Sequence, residues 1–145
     1  MIIQITPEQM HPVSLMAADF ANHTGHVIVD PDHATKTYQR MIRSGAAVVF
    51  ALMVGDKVVG GLGGIKGPDL HHPRIVAVET FWFVLPEFRG KGLRLFAAFE
   101  NWAVEKKCDA VAMVHLTDSQ PEILEKLYRR KGYELIEKHY LKVLK

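Results

Sequence analysis

The feature that most limits the fold is a change of period in the middle of the chain. From Arg74 to Leu85 the sequence reads RIVAVETFWFVL, and beyond it Leu95, Phe96, Phe99, Trp102 and Ala103 recur at helical spacing. The first run, rich in branched and aromatic residues, predicts the strongest strand of the chain and places it centrally. The second predicts a helix that lays an apolar stripe on the sheet. Between them stands PEFRGKGLR, with Gly90 and Gly92 at the turn. A strand that enters a helix through glycines bares backbone amides at the positive helix end, a geometry suited to phosphate or pyrophosphate. Arg89, Lys91 and Arg94 add charge, and glycine keeps side chains from holding an anion away. The same residues also describe a plain strand-to-helix turn with solvated cations, and the pattern by itself leaves both readings open. It is neither a Walker loop, which needs a wider glycine gap followed by Lys-Ser/Thr, nor a dinucleotide fingerprint, which needs a third glycine at Leu95.

Upstream, IIQI at residues 2–5 predicts a short strand, and Thr6-Pro7-Glu8-Gln9 reads as a capping box with proline at the first helical position. Val13, Met16, Ala17 and Phe20 follow at helical spacing, with Gly25 in the connection beyond. Asp30-Pro31 opens a second helix that carries Ala34, Tyr38, Met41 and Ile42 on one face and stops at Gly45. AAVVFALMV at 46–54, Gly55-Asp56 and KVVGGLGGI at 57–65 predict an antiparallel hairpin. Gly60, Gly61, Gly63 and Gly64 point to a bulge, to close approach of a backbone or ligand, or to relief of twist. Residues 66–74 read as a loop. DAVAMVHL at 109–116 predicts a further buried strand, Ser119 and Glu122 cap a helix with Leu124, Leu127 and Tyr128 inside, Gly132 ends it, and YELIEKHYLKVL predicts a partly exposed edge strand.

With 145 residues, 48% of them apolar, and a formal charge of +2, the chain fits one globular domain, 1–145, and its scattered cations argue against a nucleic-acid binder. Cys108 is the sole cysteine, which excludes an internal disulfide and a multi-cysteine metal site. No signal-peptide pattern opens the sequence and no apolar run reaches the ~20 residues of a membrane span, so the expectation is a soluble protein of the cytoplasm.

Val84, Pro86, Glu87, Phe88, Arg89, Gly90 and Gly92, taken with Leu127, Tyr128, Gly132 and Tyr133, resemble the two signatures of the GNAT superfamily of acyl-coenzyme A N-acyltransferases. The order of elements matches over nearly the whole chain, and FENWAVEKKCDAVAMV is similar to small phage and prophage members. The resemblance implies an α/β (α+β) fold with a mixed, mostly antiparallel central sheet, flanked by helices and with splayed central strands. It implies acetyl-coenzyme A as cosubstrate, its pyrophosphate on the amides of Arg89, Gly90, Lys91, Gly92 and Leu93, and its pantetheine arm paired with the backbone of Phe83, Val84 and Leu85. Arg94 stands where the family usually has glycine or alanine and either crowds the pyrophosphate or adds charge to it. Pro121 stands where the family has asparagine.

Acetyl transfer to an amine needs a neutral amine, a donor for a tetrahedral oxyanion and a proton for the leaving thiolate. With a pKa near ~10.4, only about one lysine amine in a thousand is neutral at pH 7, so a base or desolvation helps. Glu79, on the central strand, is the carboxylate placed for that work; pairing with a neighbouring arginine is the alternative. Tyr128 matches the family's usual general acid, though a core tyrosine would show the same spacing. The oxyanion would rest on a backbone amide near Val84. His71, His72 and Asp69 read as loop residues, not as a metal site. His115 suits a structural hydrogen bond or a proton relay, and Cys108 has no cue for reactivity. The resulting expectation is an N-acetyltransferase acting on an unidentified amine, with homodimerisation through the exposed last strand open. The alternative is a catalytically silent acyl-coenzyme A binding module.

Overall fold

The computed structural model describes residues 1–22, 28–115 and 120–145. They fall into two compact units, Met1–Val114 and His115–Lys145. The first unit contains β1 (Ile2–Gln4), a 3-10 turn (Pro7–Gln9), α1 (Met10–Ala21), α2 (Pro31–Arg43), β2 (Ala47–Val54), β3 (Lys57–Pro68), β4 (Ile75–Val84), a 3-10 segment (Pro86–Lys91), α3 (Leu93–Glu105) and β5 (Ala110–Ala112). The strands form one sheet in the order β1-β2-β3-β4-β5. Neighbours pair antiparallel except β4 and β5, which run parallel. This is the mixed, mostly antiparallel sheet expected.

The helix starts follow from their local chemistry. Gln9 turns its side chain back so that Oε1 accepts the Thr6 N–H at 3.0 Å, and Asp30 accepts the His33 N–H at 3.0 Å. The sheet then separates two cores. Val48, Phe50, Leu52, Leu62, Ala77 and Val84 meet Leu95, Phe99 and Trp102 of α3, while Val49, Ala51 and Phe83 meet Met10 and Val13 of α1. Strand side chains alternate between faces, so β2 supplies both cores and is buried along nearly its whole length.

α3 ends in a Schellman arrangement, with Lys107 N–H donating to Val104 O at 3.0 Å and Cys108 N–H to Ala103 O at 2.9 Å. Lys107 takes the left-handed position that glycine usually fills, with φ of 58°. Lys107→Gly is therefore expected to raise stability by about 1 kcal/mol, as a higher midpoint in urea denaturation with unchanged slope.

Four expectations change. β4 is not the central strand: β3 holds the middle of the sheet and β4 lies beside the edge strand β5. β3 runs on to Pro68, into the stretch expected as a loop, because Lys66, Gly67 and Pro68 pair with Ala77, Val76 and Ile75. β5 is a three-residue strand, half-buried, rather than a buried strand over 109–116, and Leu116 lies outside the described residues. Residues 133–145 form no strand, and Leu135, Ile136, Tyr140, Leu141, Val143 and Leu144 are exposed. The physical reason is in their order: the doublets Leu135-Ile136, Tyr140-Leu141 and Val143-Leu144 put apolar side chains on both faces of any strand, leaving no single face to bury. The edge that would have served a dimer is thus not formed as a strand. Gly25 and Ser119 lie outside the described residues.

In the second unit, α4 (Pro121–Arg130) begins at Pro121, where a missing N–H costs nothing. It closes on Gly132 at φ of 86°, with Gly132 N–H donating to Arg129 O at 3.1 Å and Tyr133 N–H to Tyr128 O at 2.9 Å. The sequence LYRRKGY is this cap.

Candidate active site

The site grows from a flaw in the β3–β4 ladder. Gly64 stands opposite Glu79 and Gly63 opposite Phe81, so Thr80 is a bulged residue with nothing across from it. One extra residue inverts the alternation of β4. Before the bulge Ala77 faces α3; after it Phe81 and Phe83 face α1 while Trp82 and Val84 face α3. The glycines opposite are required by rings, not by a ligand or a second backbone: a Cβ on Gly63 would lie 2.3 Å from Phe81 and one on Gly64 2.2 Å from Phe99.

On the other edge β4 pairs with β5 only from Val76 to Val78, and the two strands then part. Glu79 is the first β4 residue past that pairing. Its Oε2 accepts the Val114 N–H at 2.9 Å, so a side chain takes over where the backbone ladder stops. Glu79 is only 6% exposed and has no ion pair with a described residue; the arginine pairing that its sequence position left open is not made. Burial pushes its carboxyl up to about 7, against the lowering effect of the Val114 N–H. A buried carboxyl that titrates near neutrality, at a parting of strands, is equipped to take up a proton.

Backbone direction supplies the second part. Leu85 N–H donates to Val59 O at 2.9 Å, and with Phe83 opposite Gly61 the bonded pairs fall on Leu85, Phe83 and Phe81. The N–H and C=O groups of Trp82 and Val84 consequently point away from β3, towards the side that β5 has left. Trp82 stacks on Phe96 at 5.6 Å, and its indole N–H is buried without an acceptor among the described residues.

Beyond Leu85 the glycine stretch is wound as the 3-10 segment. Phe88 N–H donates to Leu85 O and Gly92 N–H to Arg89 O, so these amides are used internally. The amides of Leu93 and Arg94 form the open first turn of α3, since Leu95 and Phe96 N–H both turn back to Gly92 O. The two glycines differ. Gly92 is buried, and a Cβ there would meet Val84 at 3.1 Å and Arg89 O at 3.3 Å; a Cβ on Gly90 would meet nothing within 4 Å. Gly92 lets the helix start close against β4, whereas no described residue stands where a Cβ at position 90 would lie. Arg89, Lys91 and Arg94 are exposed, and Lys91 Nζ lies 5.7 Å from the centre of the Phe88 ring.

Residues 14–133 match the model of the acetyltransferase (GNAT) family. The chain belongs to that family. This GNAT protein is an acyltransferase, and its sheet is the fold of solved acetyltransferases. A ribosomal-protein-alanine N-acetyltransferase from Brucella melitensis biovar Abortus 2308 superposes with a TM-score of 0.73 at 17% identity, covering 99% of each chain. An aminoglycoside acetyltransferase from an uncultured soil metagenomic sample, solved with sisomicin, gives 0.75 at 18% identity, covering 100% of this chain and 96% of its own. A protein described as a transcriptional regulator, from Bacillus halodurans C-125, gives 0.80 at 16% identity, with 99% of each chain covered. At these identities the likeness shows the fold alone. No curated protein matches the GNAT chain significantly in sequence.

Of the residues expected to carry function, Glu79, Phe83, Val84 and Leu85 share β4 and its end, and Arg89 to Arg94 follow directly. Tyr128 lies in the second unit, buried, with its ring 5.8 Å from that of Tyr133. Asp69 organises the histidine loop: it accepts the His71 N–H and pairs with Arg74, each at 2.8 Å. His115 Nε2 is buried with no partner among the described residues, and burial pushes the Cys108 thiol up, the direction opposite to that of an activated thiolate. Sequence reading missed Thr80 and Tyr38, whose hydroxyl donates to Thr80 Oγ1. The Gly63-Gly64 pair signalled the bulge but not which residue of the facing strand would protrude.

Proposed function

We propose that residues 1–145 act as one N-acetyltransferase domain that moves an acetyl group from acetyl-coenzyme A directly to a primary amine. The observation that carries this reading is Glu79, buried and near-neutral in its titration where β4 and β5 part. Such a carboxylate accepts the proton released as the amine nitrogen bonds to the thioester carbonyl. The Val84 N–H, pointing away from β3, donates to the oxygen on which negative charge develops. As the carbon–sulfur bond breaks, Tyr128 gives its hydroxyl proton to sulfur, a role supported by the match of LYRRKGY to the family's second signature.

The cosubstrate fits the residues present. The Trp82 and Val84 backbone groups offer a strand-like edge to a pantetheine amide, the first-turn amides of α3 with Arg89, Lys91 and Arg94 suit a pyrophosphate, and Gly90 leaves room for it. Acetyl-coenzyme A would supply the activated acyl group; the protein supplies orientation, proton transfer and oxyanion donors. Gly90→Ala, whose Cβ meets no described neighbour within 4 Å, is expected to leave the unfolding midpoint nearly unchanged while weakening coenzyme A binding about tenfold, or 1.4 kcal/mol, by calorimetry.

The test is calorimetric titration with acetyl-coenzyme A, then thiol release with an amine panel that includes an aminoglycoside and a peptide with N-terminal alanine. Micromolar binding with acceptor-dependent thiol release supports the enzyme, and Tyr128→Phe then lowers turnover about 100-fold or more with little change in binding. Binding without turnover by any amine would indicate a silent acyl-coenzyme A module. We place the protein in the cytoplasm on its single free cysteine; no helix of the described residues is long and apolar enough to cross a membrane.

A further inference from the structure

The Gly-rich β3 strand leaves a problem that α2 solves. A ladder written opposite Gly63 and Gly64 has little side-chain specification, and a one-residue slip of β4 would turn Glu79 out of the gap beside β5. The rings of Phe81 and Phe99 pack over these glycines, but β3 offers no partner to Thr80 itself. The Tyr38 hydroxyl of α2 donates to Thr80 Oγ1, and the Tyr38 ring stands edge-on to Phe81, centres 5.6 Å apart at 89°. One side chain thus grips the bulged residue and its successor. We infer that Tyr38, through Thr80, is a positioning residue that pins the β4 bulge and thereby holds Glu79 in the gap at Val114. The inference rests on the reading of Glu79 as the proton acceptor.

The surroundings of Glu79 make the effect measurable. β3 presents Gly63 and Gly64, α3 presents Phe99 over Gly64, the chain after β5 presents the Val114 N–H, and α2 presents Tyr38, a titratable group that senses the charge of Glu79. Burial raises the Tyr38 hydroxyl, and the charge of Glu79 adds to that rise. Loosening the grip admits water to the carboxyl, so its titration should move down from about 7 towards the ordinary 4.5.

The experiment is a carbon-13 NMR titration of the Glu79 carboxyl in the whole protein, with Glu79→Gln to assign the signal, so no acceptor need be known. Tyr38→Phe and Thr80→Val remove one hydroxyl each at nearly constant volume, while Thr80→Ser keeps it. A midpoint lowered by at least about half a unit in the first two, with Thr80→Ser like the wild type, supports the inference. The double variant Tyr38→Phe/Thr80→Val should shift no further than either single one, because both act through one bond. If all variants titrate like a wild type near neutrality, the inference is overturned while the reading of Glu79 stands. A wild-type midpoint at the ordinary carboxylate value overturns both. Thr80→Ser shifting as far as Thr80→Val would show that packing, not the hydroxyl, holds the bulge.

Discussion

Glu79→Gln is expected to cut acetyl transfer by about 100- to 10,000-fold and to abolish the rise of rate with pH through pH 7 that is expected of the wild type. Glutamine keeps an oxygen for the Val114 N–H but takes up no proton. The same substitution should stabilise the fold. The folded carboxyl titrates at about 7 against an ordinary 4.5, so between those values the native state holds a proton that the unfolded chain has lost. Stability therefore falls as pH rises across that window, and above it the buried charge costs on the order of 3 kcal/mol. Urea denaturation should find Glu79→Gln more stable than the wild type at alkaline pH and equal to it below pH 4.5. Equal stability at every pH would mean that the carboxyl is not held buried. A group whose ionised form is costly to the fold, yet useful to the reaction, is the trade expected of an active site.

Gly64→Ala should be among the most damaging one-methyl changes in the chain. Its Cβ would lie 2.2 Å from Cε2 and 2.5 Å from Cζ of Phe99, a ring wholly buried between the sheet and α3. The ring has no room to retreat, because it stacks on Trp102 at 5.9 Å. Overpacking of this kind costs about 3 kcal/mol, read as a lower denaturation midpoint. Because Gly64 stands opposite Glu79, turnover per folded molecule should fall as well. Combining it with Phe99→Leu, which clears the ring, should recover a large part of the lost stability, so that the two changes cost less together than their sum. A double variant no better than the sum would place the strain elsewhere.

The two effects show where sequence reading reached and where it stopped. The hairpin of β2 and β3, β4 as a strand, α2 between Asp30 and Gly45, and α3 were all legible, because periodicity and cap residues act within a few positions; the place of β4 beside the edge strand rather than at the centre was not, because strand order is set by tertiary pairing. The final strand was misread, since apolar content was taken as a face where adjacent doublets supply two. Glu79 was legible as a carboxylate on a buried strand. Its bond to Val114 was not, because it depends on a residue 35 positions away, and its lack of an ion pair with a described arginine is set by the tertiary packing around it. Gly92 and Gly90 looked alike in sequence. Only the neighbours that a Cβ would meet tell the packing glycine from the open one.

By itself, then, the sequence determined most of the elements, their order and the family, because turn chemistry, hydrophobic period and signature spacing are local properties of the chain. The tertiary structure alone decided the site. A single unopposed residue, Thr80, reverses which face of β4 each later side chain takes, and the early end of the β4–β5 ladder opens the gap that Glu79 fills. Both depend on how three strands run beside one another, a relation that local propensity leaves undetermined.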